Sequence, residues 1–573
     1  MNGGTKLKKY LFHNKTSLLG LILIKLLSTL GFVGFAFIMR RIVDYAANAN
    51  KQYSFSMIII QSAFFCVFVL ITYALNQVSS QFYINKCVFL LRNDYLSDML
   101  SQKYYTIQKR ETAVYLSDLT NTCNIIKDRY FGNCISLIDD IESVILSFAF
   151  TAYISVKIAM IMFFLTLIML LIPLVLKKPI NEKTKCYSEQ LKAYTSKIKE
   201  ILSGLSTIKS FGAEKIFTDE AELRNCSVLK SGNILAVFSN ISWIISFFIS
   251  YGLQIMMMGV AAFYVIGNKM TVGSIVAVLS LSQGFYGNIQ NTVSRIVGII
   301  SAKDINEEAY RIMSQKEIDK GSHIVLNENY NSDFKTIHID NISFRYGVNS
   351  PLVLDNVSLQ FDKGKKYLIL GNNGSGKSTL LKIISNLYSP TKGEIRLNET
   401  AYQYLDAAIF NKTISYVQQN EFLFNKTLRD NIDILGINDE ERLKRVVIET
   451  DLNGFISGLS DGLDTIINEE EKAVSGGEKA RIALARAIYQ DNPVILFDEV
   501  NSSLDKTTSR KIEQMILSMN KETVINVCHK FEIDLLSHYD QIIILENGKI
   551  LEKGSFLEIK NSRYLRKYYE PYE

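Results

Sequence analysis

Paired cysteines are missing from this sequence. Its seven cysteines (66, 87, 123, 134, 186, 226 and 528) form no CxxC pair and no metal-ligand spacing. That excludes a zinc module or a disulfide framework and leaves unpaired thiols in a reducing or apolar setting. Charge imbalance is also small: a net charge of +6 over 573 residues gives no case for nucleic-acid binding. No small-residue cleavage site closes the first apolar run, and Arg40 and Arg41 follow it. The basic start (Lys6, Lys8, Lys9) therefore precedes an uncleaved membrane span and not a signal peptide. Only 6 prolines, with abundant Asn, Lys and Ile, suggest a low-GC bacterium.

The most telling absence is charge within long stretches. Residues 52–85, 158–176, 231–268 and 270–294 contain no Asp, Glu, Lys or Arg. Residues 16–39 are interrupted only by Lys25, and 143–156 is a shorter charge-free run that can extend toward Ile135. A membrane helix needs about 20 apolar residues to cross about 30 Å of hydrocarbon, so these runs predict six spans. Short loops join spans one and two, three and four, and five and six. The other two connections (86–142 and 177–230) carry eighteen Lys and Arg, against five in the short loops. Such an excess marks the cytoplasmic side and, with an even span count, places both termini there. Apolar spacing such as Leu90–Leu91–Tyr95–Leu96–Met99–Leu100 reads as helix continuing beyond the membrane. Each long connection is expected to turn near 103–116 and 205–216, at stretches able to touch the C-terminal domain.

Past residue 333 the pattern changes to short strands and turns. Lys366–Tyr367–Leu368–Ile369–Leu370 leads into Gly371–Asn372–Asn373–Gly374–Ser375–Gly376–Lys377–Ser378–Thr379. This is G-x-x-x-x-G-K-[ST] with a strand before it and a helix after it. Its glycines let backbone N–H groups curl around phosphate oxygens at a helix N-terminus. Lys377 supplies a charge to the β- and γ-phosphates, and the Ser378 hydroxyl can bind Mg²⁺. Further on, the buried-strand run Val494–Ile495–Leu496–Phe497 ends in Asp498–Glu499. The first carboxylate can hold the Mg²⁺ shell, and the second can orient or deprotonate an attacking water.

Between these elements lies Val474–Ser475–Gly476–Gly477–Glu478, with Gly477 21 residues before Asp498. This run resembles the LSGGQ signature of the ATP-binding cassette (ABC) transporter family, and the resemblance covers nearly the whole chain. It implies a polytopic α-helical membrane domain of six spans plus an α/β P-loop ATPase domain. The implied boundaries are a cytoplasmic N-terminal segment (1–15), a transmembrane domain (16–305), a linker (306–333) and a nucleotide-binding domain (334–573).

On the same resemblance Tyr346 stacks on adenine and Gln419 is the Q-loop glutamine. Ser502–Ser503–Leu504–Asp505 forms the D-loop, and His529 is the switch histidine. Two such domains pair head to tail, so Ser475 and Gly477 reach the γ-phosphate held by the partner's P-loop. Glu499 is then the general base, Ser378, Asp498 and Gln419 hold Mg²⁺, and His529 senses the γ-phosphate. Glu469, within Asn468–Glu469–Glu470–Glu471, matches the exporter X-loop glutamate without that segment's glycines and Arg. Glu478 in place of Gln adds a negative charge, which is expected to slow hydrolysis modestly.

Spans first and ATPase second resemble an exporter-type half-transporter in a bacterial plasma membrane, and Gly204–Glu214 resembles that group's second coupling segment. The expected partner is an identical chain, with a related half, or an exporter-fold importer, as alternatives. No nucleic-acid partner is expected. The cargo stays open among peptides, lipids and amphiphilic drugs. Only about fifteen residues precede the first span, so no peptidase domain is expected ahead of it. Within the sixth span, Gln283, Phe285, Tyr286, Asn288, Gln290 and Asn291 make a polar–aromatic face suited to a pathway. Lys25 is expected to snorkel toward the interface. A soluble ATPase of the family would lack the spans, a gated channel would lose a catalytic residue, and a signalling relative would bind ATP without moving cargo.

Overall fold

In a computed structural model of the chain the charge-free runs become long helices. Within hydrocarbon an α-helix satisfies all its backbone N–H and C=O groups internally, which makes it the natural form for such runs. The structure describes residues 3–47, 54–108, 110, 112–301, 333–347, 349–419, 421–467, 474–501, 504–528 and 533–566. Of these, 3–101 and 112–301 form one compact unit, and 102–110 with 333–566 form a second. Apart from Asp333, the linker expected at 306–333 lies outside the described residues.

The first unit begins with α1 (Gly3–Leu11), α2 (Lys15–Ala46) and α3 (Phe55–Leu100). A short α4 (Tyr104–Gln108) groups with the second unit. After it come α5 (Thr112–Ser117), a π-turn, α6 (Cys123–Ile126) and another π-turn, leading into α7 (Asn133–Ile154). The unit closes with α8 (Val156–Ser203), α9 (Leu205–Ser210), α10 (Glu214–Ile266) and α11 (Val272–Ser301).

Six long helices, α2, α3, α7, α8, α10 and α11, stand where six spans are expected. Among the described residues, four of them contain windows long and apolar enough to cross a membrane: α2, α3, α10 over Ile244–Ile266, and α11 to Ile300. α7 carries Asp139, Asp140 and Glu142, and the described apolar stretch of α8, Val156–Leu167, is short. α3 has 46 residues; at 1.5 Å per residue it is roughly 69 Å long, more than twice the hydrocarbon thickness. The N-terminal segment is structured: Leu7, Tyr10 and Leu11 of α1 pack on Tyr83, Cys87 and Leu91 of α3 and on Phe131. Lys9 pairs with Asp94 at 2.6 Å.

Four charges in the spans are resolved as two pairs. Lys25 does not snorkel: it is 1% exposed, donates to Asp139 Oδ2 at 2.6 Å and to Asn76 Oδ1 at 3.2 Å. Asp140, 2% exposed, accepts from Arg295 Nε at 2.5 Å. Together these contacts tie α2, α3, α7 and α11. At its far end α2 holds α11 directly, since Asp44 accepts the Gly273 N–H at 2.7 Å and the Thr271 hydroxyl at 2.9 Å.

The second unit holds a six-stranded sheet of order β12-β11-β3-β10-β9-β6. Its strands are β3 (Lys366–Leu370), β6 (Ile414–Val417), β9 (Val494–Asp498), β10 (Thr523–Val527), β11 (Gln541–Glu546) and β12 (Lys549–Gly554). All pairings are parallel except that of β11 with β12. An antiparallel sheet, β2-β1-β4-β5, covers β1 (Thr336–Phe344), β2 (Leu354–Asp362), β4 (Lys392–Leu397) and β5 (Thr400–Ala401). The small pair β7 (Lys426–Thr427) and β8 (Ile466–Ile467) completes it. β9 and β10, inside the sheet, are buried throughout, as helices on both faces require. α4 packs into this unit: Tyr105 donates to the Tyr346 carbonyl at 2.9 Å and meets Tyr388 edge-on at 5.5 Å.

Removing Arg295 strands a buried carboxylate, which costs about 3–5 kcal/mol when an ion pair is broken in this way. Arg295→Met is therefore expected to lower the thermal midpoint of the detergent-solubilised protein clearly. Adding Asp140→Asn should recover most of the loss. Additive losses in the double variant would show that the pair does not act as a unit.

Candidate active site

Four neighbouring strands, β3, β10, β9 and β6, run parallel, so their C-terminal ends share one edge, where open α/β sheets bind ligands. The glycine-rich loop follows β3, Asp498 closes β9, and Gln419 lies two residues past β6. His529 follows β10 but lies outside the described residues, as do Ser502, Ser503 and the acidic run 468–471.

The loop from Gly371 enters the helix Lys377–Ile384, whose first-turn N–H groups have no partner within the helix. Gly376, at φ +105°, permits this entry; a Cβ there would lie 2.8 Å from the Val353 carbonyl and from Leu354. Asn372, Asn373 and Gly374 are exposed along the loop. The buried Ser375 hydroxyl has no hydrogen-bond partner among the described residues. Lys377 is 4% exposed and folds back to donate to the carbonyls of Gly371 (2.9 Å) and Asn372 (3.0 Å). Burial pulls its ammonium below the ordinary lysine value, while the facing Glu499 and Asp498 carboxylates oppose that shift. Thr379 shares a 2.8 Å hydrogen bond with the Tyr346 hydroxyl. The Tyr346 ring stays 44% exposed and packs edge-on against Phe344 and Tyr388.

Two residues hold the first carboxylate. Asp498 Oδ1 accepts from Ser378 Oγ at 2.8 Å, and Oδ2 accepts from the Tyr416 hydroxyl at 2.8 Å. Tyr416 is absent from the expected site; only its place on the strand before Gln419 hinted at it. Burial first, then Asp498, pushes its phenol well above the ordinary tyrosine value, so it stays a donor. Ser378 and Asp498 present adjacent hard oxygens, the donor set that Mg²⁺ takes beside phosphate, so they fit that ion.

Glu499 departs from the strand. Its φ of +55° is left-handed, which costs a non-glycine residue about 1–2 kcal/mol. Its N–H is held by the Val527 carbonyl at 2.9 Å. The turned side chain lies 3.8 Å from Lys377 Nζ and accepts from Gln419 Nε2 at 3.1 Å. Gln419 is thus placed against Glu499, while the Ser378–Asp498 pair is held by Tyr416.

Ser475 caps the helix Gly476–Gln490 in a reciprocal box: its Oγ accepts the Glu478 N–H at 3.3 Å, and Glu478 Oε2 accepts the Ser475 N–H at 2.7 Å. The hydroxyl acts as acceptor in this box, so its proton is not used there. Glu478 also sits in the first helical turn, where the dipole favours negative charge. The S-x-x-E spacing could have disclosed this role. Gly477 lies beside Ser475 in the same turn. Asp505 similarly caps the helix Lys506–Ser518, accepting from the Thr508 N–H at 3.0 Å. Arg486, 8% exposed, binds the carbonyls of Phe422 (2.8 Å) and Asn431 (2.5 Å) and fixes the Gly476–Gln490 helix to the chain after Gln419.

Tyr416→Phe removes one of the two groups holding Asp498. Loss of such a support for a metal ligand typically costs about 10–100-fold in metal affinity. The Mg²⁺ concentration giving half-maximal ATPase activity should rise accordingly, and an unshifted Mg²⁺ curve would rule the support out.

Comparison with known proteins agrees with this layout. Residues 18–289 match the ABC transporter transmembrane region, and 354–502 match the ABC transporter model. The Lactococcin-A transport/processing ATP-binding protein LcnC of Lactococcus lactis subsp. lactis is 30% identical over 63% of this chain and 50% of its own length. The ATP-dependent lipid A-core flippase of Escherichia coli (strain K12) is 24% identical over 83% of this chain and 82% of its own. The chain spans about half the length of the lactococcin relatives it matches. In fold it resembles the structure of a bacterial Atm1-family ABC exporter with ATP bound, at TM-score 0.82 and 19% identity over 96% of this chain and 98% of that one. With a membrane-spanning region and an ATP-binding domain of this kind on one polypeptide, the protein belongs to the ABC transporter family.

Proposed function

We propose that the chain is one half of an ATP-driven exporter and works as a pair of identical chains. The observation that carries this reading is the edge where Ser378, Asp498 and Glu499 meet the glycine-rich loop. In it, ATP phosphates lie over the N-terminus of the helix Lys377–Ile384, cradled by residues 371–379, with the base against Tyr346. Lys377 turns from the loop carbonyls to the β- and γ-phosphates. Ser378 and Asp498, with Gln419 nearby, would hold Mg²⁺, which would supply charge neutralisation to the phosphates.

Glu499, pre-aimed by its left-handed backbone, accepts the proton of the attacking water, and His529 senses the γ-phosphate. The Ser475 hydroxyl and the Gly477 N–H of one chain donate to the nucleotide on the other, with Asp505 at the same junction. Pairing is then driven by the higher affinity of the closed dimer for ATP. The relatives named for transport/processing and for flipping lipid A-core support outward movement. The Lys- and Arg-rich long connections support an orientation with both termini and the ATPase domain in the cytoplasm, and the bacterial relatives support a bacterial plasma membrane.

Loss of a general base costs about 10²–10⁴-fold in rate. Glu499→Gln should therefore abolish turnover while retaining ATP, and unchanged steady-state hydrolysis would refute the assignment. Mixing decides the pairing. Lys377→Ala chains and Gly477→Asp chains are each expected to be inactive alone. Co-assembled, they contain one intact site and should hydrolyse ATP. If each chain completed its own site, the mixture would stay silent.

A further inference from the structure

Building on the exporter reading, we infer that the membrane unit's cargo is a hydrophilic peptide, bound in a polar cavity between α2, α3, α7 and α11. The cavity measures about 660 Å³. Ligand pockets are usually apolar with a few polar groups; here fifteen of the twenty-one lining residues carry a hydroxyl, a carboxamide or a charge. A lipid tail or an amphiphilic drug would meet polar groups over about half of this wall. Polar side chains within spans are costly unless they serve a pathway or one another, so a wall of this composition points to a polar occupant.

The chemistry of the wall narrows the occupant further. Its two carboxylates are already matched, Asp139 by Lys25 behind it and Asp140 by Arg295. Neither sign dominates, so recognition falls to hydrogen bonds. Five carboxamides line the space: Asn76, Gln77, Gln283, Asn288 and Asn291. Each pairs a donor with an acceptor, as a peptide group does. Asn76 is consumed by the Lys25–Asp139 network, and Asn288 donates to Ser143 and Gly284. Gln77, Gln283 and Asn291 make no hydrogen bond to any other described residue. Ser28 adds a separate sign: it lines the cavity, is 1% exposed, and its hydroxyl has no partner. Phe32, Phe35 and Tyr73 at one side can take an apolar side chain of the cargo.

The test uses the full chain in phospholipid nanodiscs, without nucleotide, and reads fluorescence anisotropy. Three labelled probes are titrated: a pool of uncharged pentapeptides of Ser, Thr, Asn, Gly and Phe; rhodamine 6G as an amphiphilic cation; and a short-chain phospholipid. The expected result is saturable binding of the peptide pool, weakened about tenfold in Gln283→Leu/Asn291→Leu, the equivalent of two lost hydrogen bonds. Both positions lack internal hydrogen bonds, so their replacement strips no contact from the fold. Gln77→Leu, on a different helix, should weaken binding in the same direction. Saturable binding of rhodamine 6G or phospholipid without the peptide pool overturns the inference, as does unchanged peptide affinity in the variants. No turnover is needed for this readout. Absent ATP hydrolysis would sink the exporter reading alone, whereas an active ATPase that ignores peptides would sink only this inference.

Discussion

Charge inside hydrocarbon can persist only when it is matched, and that constraint organises the membrane unit. Lys25 and Asp140 are almost fully buried, and each finds its partner on another helix. The two contacts fix α7 against α2 on one side and α11 on the other, with Asn76 of α3 joining the first. Breaking such a pair costs more than the pair contributes, because an uncompensated charge remains. The helices are therefore held in register by the penalty for separating them. The same polar seam opens into the cavity, so the elements that secure the packing also set the chemistry of the space they surround.

The ATPase unit solves a related problem with strand ends. Four parallel strands deliver their last residues to one edge, and the groups there arrive already restrained. Asp498 is gripped from both sides by Ser378 and Tyr416. Glu499 carries local strain at φ +55°, of the kind that persists where surrounding contacts over-determine a conformation. Lys377, Glu499 and Gln419 form a short chain of contacts. Arg486 links the helix that begins at Ser475–Gly477 to the segment following Gln419. The helix capped by Ser475 and the segment that follows Gln419 thus share a rigid connection.

What could be read from the chain depended on distance along it. The glycine-rich loop, the acid pair at the end of β9 and the charge-free runs are local patterns, and the structure displays each where the residues placed it. Contacts between distant residues left no such trace. Lys25 looks like a snorkelling lysine until Asp139, 114 residues away, lies beside it. Gln283, Asn288 and Asn291 do face the cavity, but Phe285 and Tyr286 of the same stretch turn into the packing with Met162, Leu253 and Met257. Tyr416 was visible only as a strand residue, and the turned backbone of Glu499 follows from its neighbours. Glu478 is the instructive case: read as a stray negative charge, it is half of a capping box whose spacing was legible all along.

The grouping of α4 with the ATPase unit bears on how that unit can be isolated. Tyr104 and Tyr105 lie against Tyr388 and Phe344, and Gln108 bonds the Tyr388 hydroxyl. A fragment starting near residue 317 would lose this cover and present bare aromatic rings to water. Recombinant preparations of the cassette by itself should therefore be sticky, and adding a synthetic peptide of residues 102–110 is the natural remedy.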